Sequence, residues 1–437
     1  MNSDFRATSR DATDYLPGGT YSTIGQNTDS SPEFLFSHAN GAYVHTTDGR
    51  QLLDVMMGHG SLILGHAHPE ITQAVTNQVK LGNTFTYVTQ PAIDLAKMIV
   101  ENIPCAEKVR FMNSGSEAIM IMTRLVRAHT GKEKILKFEG AYHGFADNLL
   151  FSTNYGSAEN WLDYPMPTPD SVGIPADHSK TVLVAPWNDI DRTRQIIESN
   201  SAELASIVVE PLMRGLSSKP GFLEALRDIS SDHQIPLVFD EVCTGFRLAL
   251  GGAQEYYGVT PDLSIFGKGL GSGYPIGAVA GNEEIMSHLD PSSDDENRIF
   301  SLGSFHGNAI STAAGVATMK ELKRAGIYQD LNSYGDNMRD ALEEMFLRYD
   351  IPVQMSGAGN IVEWFFTSEA ITDFKSSLKS NWKLKNKLSD EMRKRNIFCG
   401  AGRFSSSTVH GKTEYNFTID AMEESLRSIR DTGNLVP

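Results

Sequence analysis

Positive charge is scarce in this chain. Of its 437 residues, 38 are lysine or arginine against 54 aspartate or glutamate, a formal net charge of -16. A nucleic-acid backbone or an anionic membrane needs a basic face, so neither is an expected partner. From Asp11 through Gly49 there is no lysine or arginine at all. Cysteine is equally sparse. Cys105, Cys243 and Cys399 stand far apart, odd in number and in no CxxC pair; this excludes a disulfide framework or a cysteine zinc site and predicts reduced thiols in a cytoplasmic protein. No apolar run approaches the ~20 residues that span a bilayer, and the N-terminal MNSDFRATSRDATDY lacks the apolar stretch of a secretory signal. No GxGxxG follows an early strand, so a dinucleotide-binding domain is not expected.

What the chain does have is alternation. The β-branched runs KILKF (134–138), TVLVA (181–185), ASIVVE (205–210) and PLVFDE (236–241) are separated by amphipathic stretches of helix length. That order predicts an α/β domain with a largely parallel sheet, and runs apolar on consecutive positions predict strands buried on both faces. Upstream, GAYVHTTDGRQLLDV (41–55) has Asp48-Gly49 where a hairpin turns, and PEITQAVTNQVK (69–80) places Pro69 in a first helical turn. Downstream, STAAGVATMKELKRAG (from 311) is helical, and a last helix puts Met422, Leu426 and Ile429 on one face. The length exceeds the ~250–300 residues at which single cores stop growing. The expected division is an N-terminal segment 1–60 packing with a small domain, a large domain 61–310 and a small domain 311–437. DPSSDDENR (290–298) is the most loop-like stretch, and the first ~10 residues are expected to be a disordered tail.

Four short stretches have the chemistry of a site. In FMNSGSEA, small residues at Asn113–Gly115 join a strand to a helix starting near Ser116, where backbone N–H groups and the helix dipole favour an anion; a plain capping turn on Ser114 or Ser116 is the competing reading. In VFDEV (238–242) a carboxylate ends an apolar strand, on the edge where open α/β sheets bind ligands. Asp240 there either holds a protonated ring nitrogen or caps the following turn. In FEGAYHG (138–144), Tyr142 and His143 are flat enough to stack on a ring. In IFGKGLGSG (265–273) a lysine stands between two glycines immediately after an apolar run, unlike a surface lysine.

Together with VVEP and FGKGLGSGYPIGA, these motifs follow the order and approximate spacing of class III aminotransferases, which are fold-type I enzymes dependent on pyridoxal 5'-phosphate. LPGG (16–19), LDVMMGHGSLILGHAHP (53–69), DEVCTGFR and GSFHGNAISTAAG (303–315) resemble the glutamate-1-semialdehyde aminomutase branch. The resemblance covers nearly the whole chain and implies a mostly parallel seven-stranded sheet covered by helices, plus a smaller α+β domain. It implies that Lys268 holds the cofactor as an imine and shuttles a proton, and that Asp240 holds the pyridinium proton. Burial is expected to lower the lysine pKa, and the flanking glycines to let ligands approach. By the same resemblance Ser114, Gly115 and Ser116 bind the phosphate, Tyr142 and Val242 flank the ring, and His143 and Glu210 lie beside it. Ser304 reaches the phosphate across a homodimer whose active sites are shared. His66 and His68 are read as structural turn residues, and no metal is expected.

The aminomutase relatives carry an arginine shortly after PGG to grip the substrate carboxylate. Here that segment reads PGGTYSTIGQ. Arg403 in CGAGRFS is the replacement candidate, with Arg214 and Arg247 behind it, the alternative for each being an ordinary salt-bridged arginine. The expected activity is therefore amino transfer between an amino-acid donor and a keto acid, aldehyde or ketone. The alternatives are a 2,1-aminomutase, then a racemase or decarboxylase on the same cofactor, and last a non-catalytic relative.

Overall fold

The computed structural model describes residues 9–21, 34–153, 165–293, 296 and 298–431. The first eight residues of the expected tail lie outside them. So do 22–33, which hold the later part of PGGTYSTIGQ, and positions 294, 295 and 297 of the loop-like stretch.

Seven strands form the main sheet: β1 Lys108–Met112, β2 Lys134–Phe138, β3 Val182–Ala185, β4 Leu204–Val209, β5 Leu237–Asp240, β6 Leu263–Phe266 and β7 Gly277–Gly281. Their order is β1-β7-β6-β5-β4-β2-β3. Six run parallel, and β7 alone opposes both its neighbours, pairing Gly277 with Met112 and Leu263 with Gly281. Every residue of β4, β5, β6 and β7 is buried, the physical meaning of their unbroken apolar runs. Alternate residues serve opposite faces. Val238 packs with Met122, Leu125 and Val126 of the helix Gly115–Thr130, whereas Leu237 and Phe239 pack with Phe222, Leu226 and Ile229 of the helix Phe222–Asp232.

A second core joins the two ends of the chain. Tyr43–Thr46 and Gln51–Asp54 form the expected hairpin, and Ile397–Phe398 pairs parallel to the latter. Leu53, Val55 and Met57 are packed there with Met338, Leu342, Phe346 and Leu388, and with Met422, Leu426 and Ile429 of the last helix, Lys412–Asp431. Three further strands, Gln354–Ser356, Ile361–Phe365 and Arg403–Ser405, complete this region. The helix Pro69–Leu81 begins on Pro69 as expected. Among the described residues, no helix is long and apolar enough to cross a membrane.

Candidate active site

The turns after β1, β2, β4, β5 and β6 all leave the C-terminal edge of the parallel strands, where such sheets place ligands. The turn after β1 is both a cap and a cradle. Ser114 Oγ accepts the Glu117 N–H at 3.2 Å, so the capping reading holds, and the Ser114 carbonyl accepts from Ala118. That arrangement leaves the Gly115 and Ser116 N–H groups at the head of a 16-residue helix, which favours an anion. A Cβ at Gly115 would come within 2.8 Å of Val242, and one at Gly144 within 2.4 Å of Ser116 Oγ.

Of its two readings, Asp240 shows the turn cap, and its other oxygen meets His143. Its Oδ1 accepts the Val242 N–H at 3.1 Å, a turn cap, while Oδ2 lies 2.7 Å from His143 Nδ1. Both side chains are buried, and His143 Nε2 has no partner among the described residues. Glu210, also buried, accepts the Tyr142 N–H at 2.7 Å. Burial pushes the Glu210 carboxyl above its ordinary range, and the Asp240 charge adds to that, against the pull of His143 and Arg214. Five expected site residues are thus held by two sets of bonds, Asp240 with His143 and Val242, and Glu210 with Tyr142.

Lys268 directly follows Gly267, at the end of β6, with a positive φ of 39°. This left-handed backbone is costly for a side chain and characteristic of functional sites. Its Nζ lies 2.8 Å from Cys243 Sγ. Burial disfavours the ammonium, but the Cys243 sulfur, then Asp240 and Glu210, outweigh it and hold the lysine above its ordinary pKa. The expected lowering is reversed because sulfur and two carboxylates surround the amine. Of the flanking glycines, Gly269 also makes room for protein, since a Cβ there would meet Ile63 at 2.7 Å, whereas one at Gly267 would make only an ordinary contact with Val242 at 3.4 Å.

A cavity of about 310 Å³ opens beside this cluster, lined by Cys243, Arg214, Arg247, Glu363 and Arg403 among others. Arg403 is salt-bridged, its Nε 2.7 Å from Glu363 Oε2, while Glu363 Oε1 lies 3.2 Å from the buried Lys385. Arg247 is fully buried and donates to the carbonyls of Gly60 at 2.6 Å and Ser406 at 3.0 Å; burial pulls its pKa down to about 10. Arg214 donates to the Thr153 carbonyl at 2.9 Å. His66 pairs with Asp54 at 2.8 Å, and His68 stands at the start of the helix Pro69–Leu81. Ser304 is exposed in the turn before the helix Ala309–Leu322, apart from this network.

Sequence reasoning did not single out Cys243 or Glu363. Cys243 had a signal, because it stands three residues beyond Asp240 in the same motif. Glu363 had none, since its partners are distant in the chain.

Residues 24–393 match the family model of aminotransferase class-III. The chain belongs to that family. It is 37% identical over 428 residues to a glutamate-1-semialdehyde 2,1-aminomutase of Methanothermobacter thermautotrophicus, covering 97% of this chain and 98% of that one. It is 38% identical over 425 residues to the same enzyme of Ignicoccus hospitalis, covering 96% and 97%. Among solved structures, an omega-transaminase from Sphaerobacter thermophilus superposes with a TM-score of 0.90 at 33% identity, covering 97% of both chains. Class III aminotransferases depend on pyridoxal phosphate, and so does this one. The donor set fits that cofactor: a helix N-terminus for its phosphate, a buried carboxylate for its ring nitrogen and an amine for its aldehyde.

Proposed function

We propose that this class III enzyme moves an amino group within one substrate, as a 2,1-aminomutase acting on an α-amino aldehyde of the glutamate-1-semialdehyde type. The observation that carries this reading is the near full-length similarity to curated relatives bearing that name. It reverses the order of the sequence-based expectations, in which transamination stood first. Exchange with an external acceptor is the second reading. It is favoured by the 33% identity to an omega-transaminase and by the Asp11–Gly49 stretch without a cation.

In either reading the cofactor, when bound, supplies an electron sink for the pair left by a broken Cα–H bond. Lys268 is the residue assigned to hold it, and Nζ then acts as the base that takes the Cα proton and as the acid that gives it back across the substrate imine. Asp240 keeps the ring nitrogen protonated, and its 2.7 Å bond to His143 fixes the carboxylate in place. Gly115 and Ser116 hold the phosphate through backbone N–H groups, with Ser114 capping the same helix. Tyr142 and Val242 flank the ring, and Glu210 holds Tyr142 by its backbone. Arg403 receives the substrate carboxylate by exchanging its bond with Glu363, which keeps Lys385 as a partner.

Two measurements test this. Purified wild type with pyridoxal phosphate is expected to show the visible band of a lysine-bound cofactor, and Lys268→Ala to lack it and all turnover. The wild type is then expected to convert glutamate-1-semialdehyde into the isomeric aminoketone with no added keto acid. Turnover only when a keto acid is supplied would replace this reading with the second.

A further inference from the structure

Cys243 lies in the turn after β5, with its sulfur 2.8 Å from Lys268 Nζ. It is only partly buried and lines the cavity beside the site, so small solutes entering that cavity meet it. The other two cysteines are shut away, and burial pushes the Cys105 thiol up to about 12. The thiolate is the form of a cysteine that reacts with peroxide. Two nucleophiles of different kinds therefore stand in contact, one exposed to an oxidant and the other needed by the cofactor.

We propose that Cys243 and Lys268 form a peroxide-sensitive, thiol-reversible lock in which a sulfur–nitrogen bond between them withdraws the Lys268 amine from the cofactor. This rests on the assignment of Lys268 as the residue that holds it. The Cys243 thiolate attacks hydrogen peroxide, breaking its O–O bond to give a sulfenic acid and hydroxide, and the hydroxide takes a proton from the Lys268 ammonium to become water. The freed amine attacks the sulfur. Its S–O bond breaks, and the leaving hydroxide departs with an amine proton as a second water. In total, thiolate, ammonium and one peroxide give one S–N bond and two waters, with sulfur oxidised and peroxide reduced. A dithiol reverses the lock, restoring thiol and amine as it becomes a disulfide. The lock forms only while the Lys268 amine is free, so bound cofactor protects against it.

The test treats the full-length chain with hydrogen peroxide, with and without pyridoxal phosphate, and weighs the peptides containing positions 243 and 268. Without cofactor, the two peptides are expected to be joined at a mass two hydrogens below their sum. Dithiothreitol is expected to separate them and restore the visible band on adding cofactor, which the locked chain shows at less than a tenth of its full height. Lys268→Ala should instead gain oxygen on Cys243, and Cys243→Ser should stay unjoined. Wild type gaining oxygen on Cys243 without a joined peptide, or joining in Cys243→Ser, overturns the lock. A chain that joins its peptides but never shows the visible band would leave the lock standing and remove the cofactor role of Lys268.

Discussion

Asp240 shows how far single residues could be read and where reading stopped. Its place at the end of an apolar strand marked it as a ligand-facing acid, and the structure keeps it there as both turn cap and partner of His143. The pairing itself was invisible, because it joins loops about a hundred residues apart. The same holds for two buried groups in these motifs. Glu241, next to Asp240, is pushed up by burial from 4.5 to about 7, despite bonds from Ala253, Gln254 and Thr244. Lys137, in the strand before FEGAYHG, is brought down by burial from 10.5 to about 7, while donating to the carbonyls of Ala141, Leu149 and Phe151 and to Thr153 Oγ1. The signs are opposite. Between pH 4.5 and 7 the folded chain holds the Glu241 proton that the unfolded chain has shed, so this stability is fully present below 4.5 and lost as pH rises through 7. Between 7 and 10.5 the unfolded chain holds the Lys137 proton that the folded chain has shed, so stability rises with pH there. Each slope is at most about 1.4 kcal/mol per pH unit. Urea midpoints at pH 5, 7 and 9 are expected to lose the lower fall in Glu241→Gln and the upper rise in Lys137→Met. Variants whose midpoints follow the wild-type pH curve would exclude these two groups as its source.

Elements were the most legible level, because their signals are local. Strands buried on both faces announce themselves as continuous apolar runs, and β2 through β6 fall where those runs are. The antiparallel β7, GAVAG, is also an apolar run, but around Val279 it holds only glycine and alanine. It lies between β1 and β6 and passes beneath the turn that begins the helix Gly115–Thr130. A Cβ at Gly277 would stand 2.1 Å from the Ser114 carbonyl oxygen and 3.1 Å from the Gly115 nitrogen. Neither is the end of a flexible side chain, so the helix N-terminus itself must move. Gly277→Ala is therefore expected to cost about 1–3 kcal/mol of stability, typical of overpacking, and to weaken pyridoxal phosphate binding at least tenfold. Ser114→Ala, which removes only the cap, is expected to cost about 1 kcal/mol and leave binding within a few-fold. Cofactor titrations followed by absorbance separate the two. Equal binding by wild type and Gly277→Ala would disconnect β7 from the phosphate cradle.

At the scale of the whole molecule, what the sequence could not convey is what a second copy would cover. Tyr87, Val88, Phe300 and Leu302 are large apolar side chains left 77% or more exposed. The two segments that carry them approach each other where the Ala309 N–H donates to the Asn83 carbonyl, and Phe300 and Leu302 flank the turn holding Ser304 in sequence. Exposed patches of this kind mark association surfaces, consistent with the homodimer expected from the resemblance. Light scattering is expected to give twice the chain mass for wild type and the single mass for Leu302→Asp, a substitution that costs the isolated fold little because the side chain is 80% exposed. Dimerisation alone does not show that active sites are shared, but two inactive or weakened variants can. If Ser304 of the partner subunit completes the site around Lys268, a mixed dimer of Lys268→Ala and Ser304→Ala contains one site with both native residues. Refolding the two chains together is then expected to raise activity above that of either parent. If the mixture gives no more than the average of its parents, Ser304 serves its own chain or no site at all.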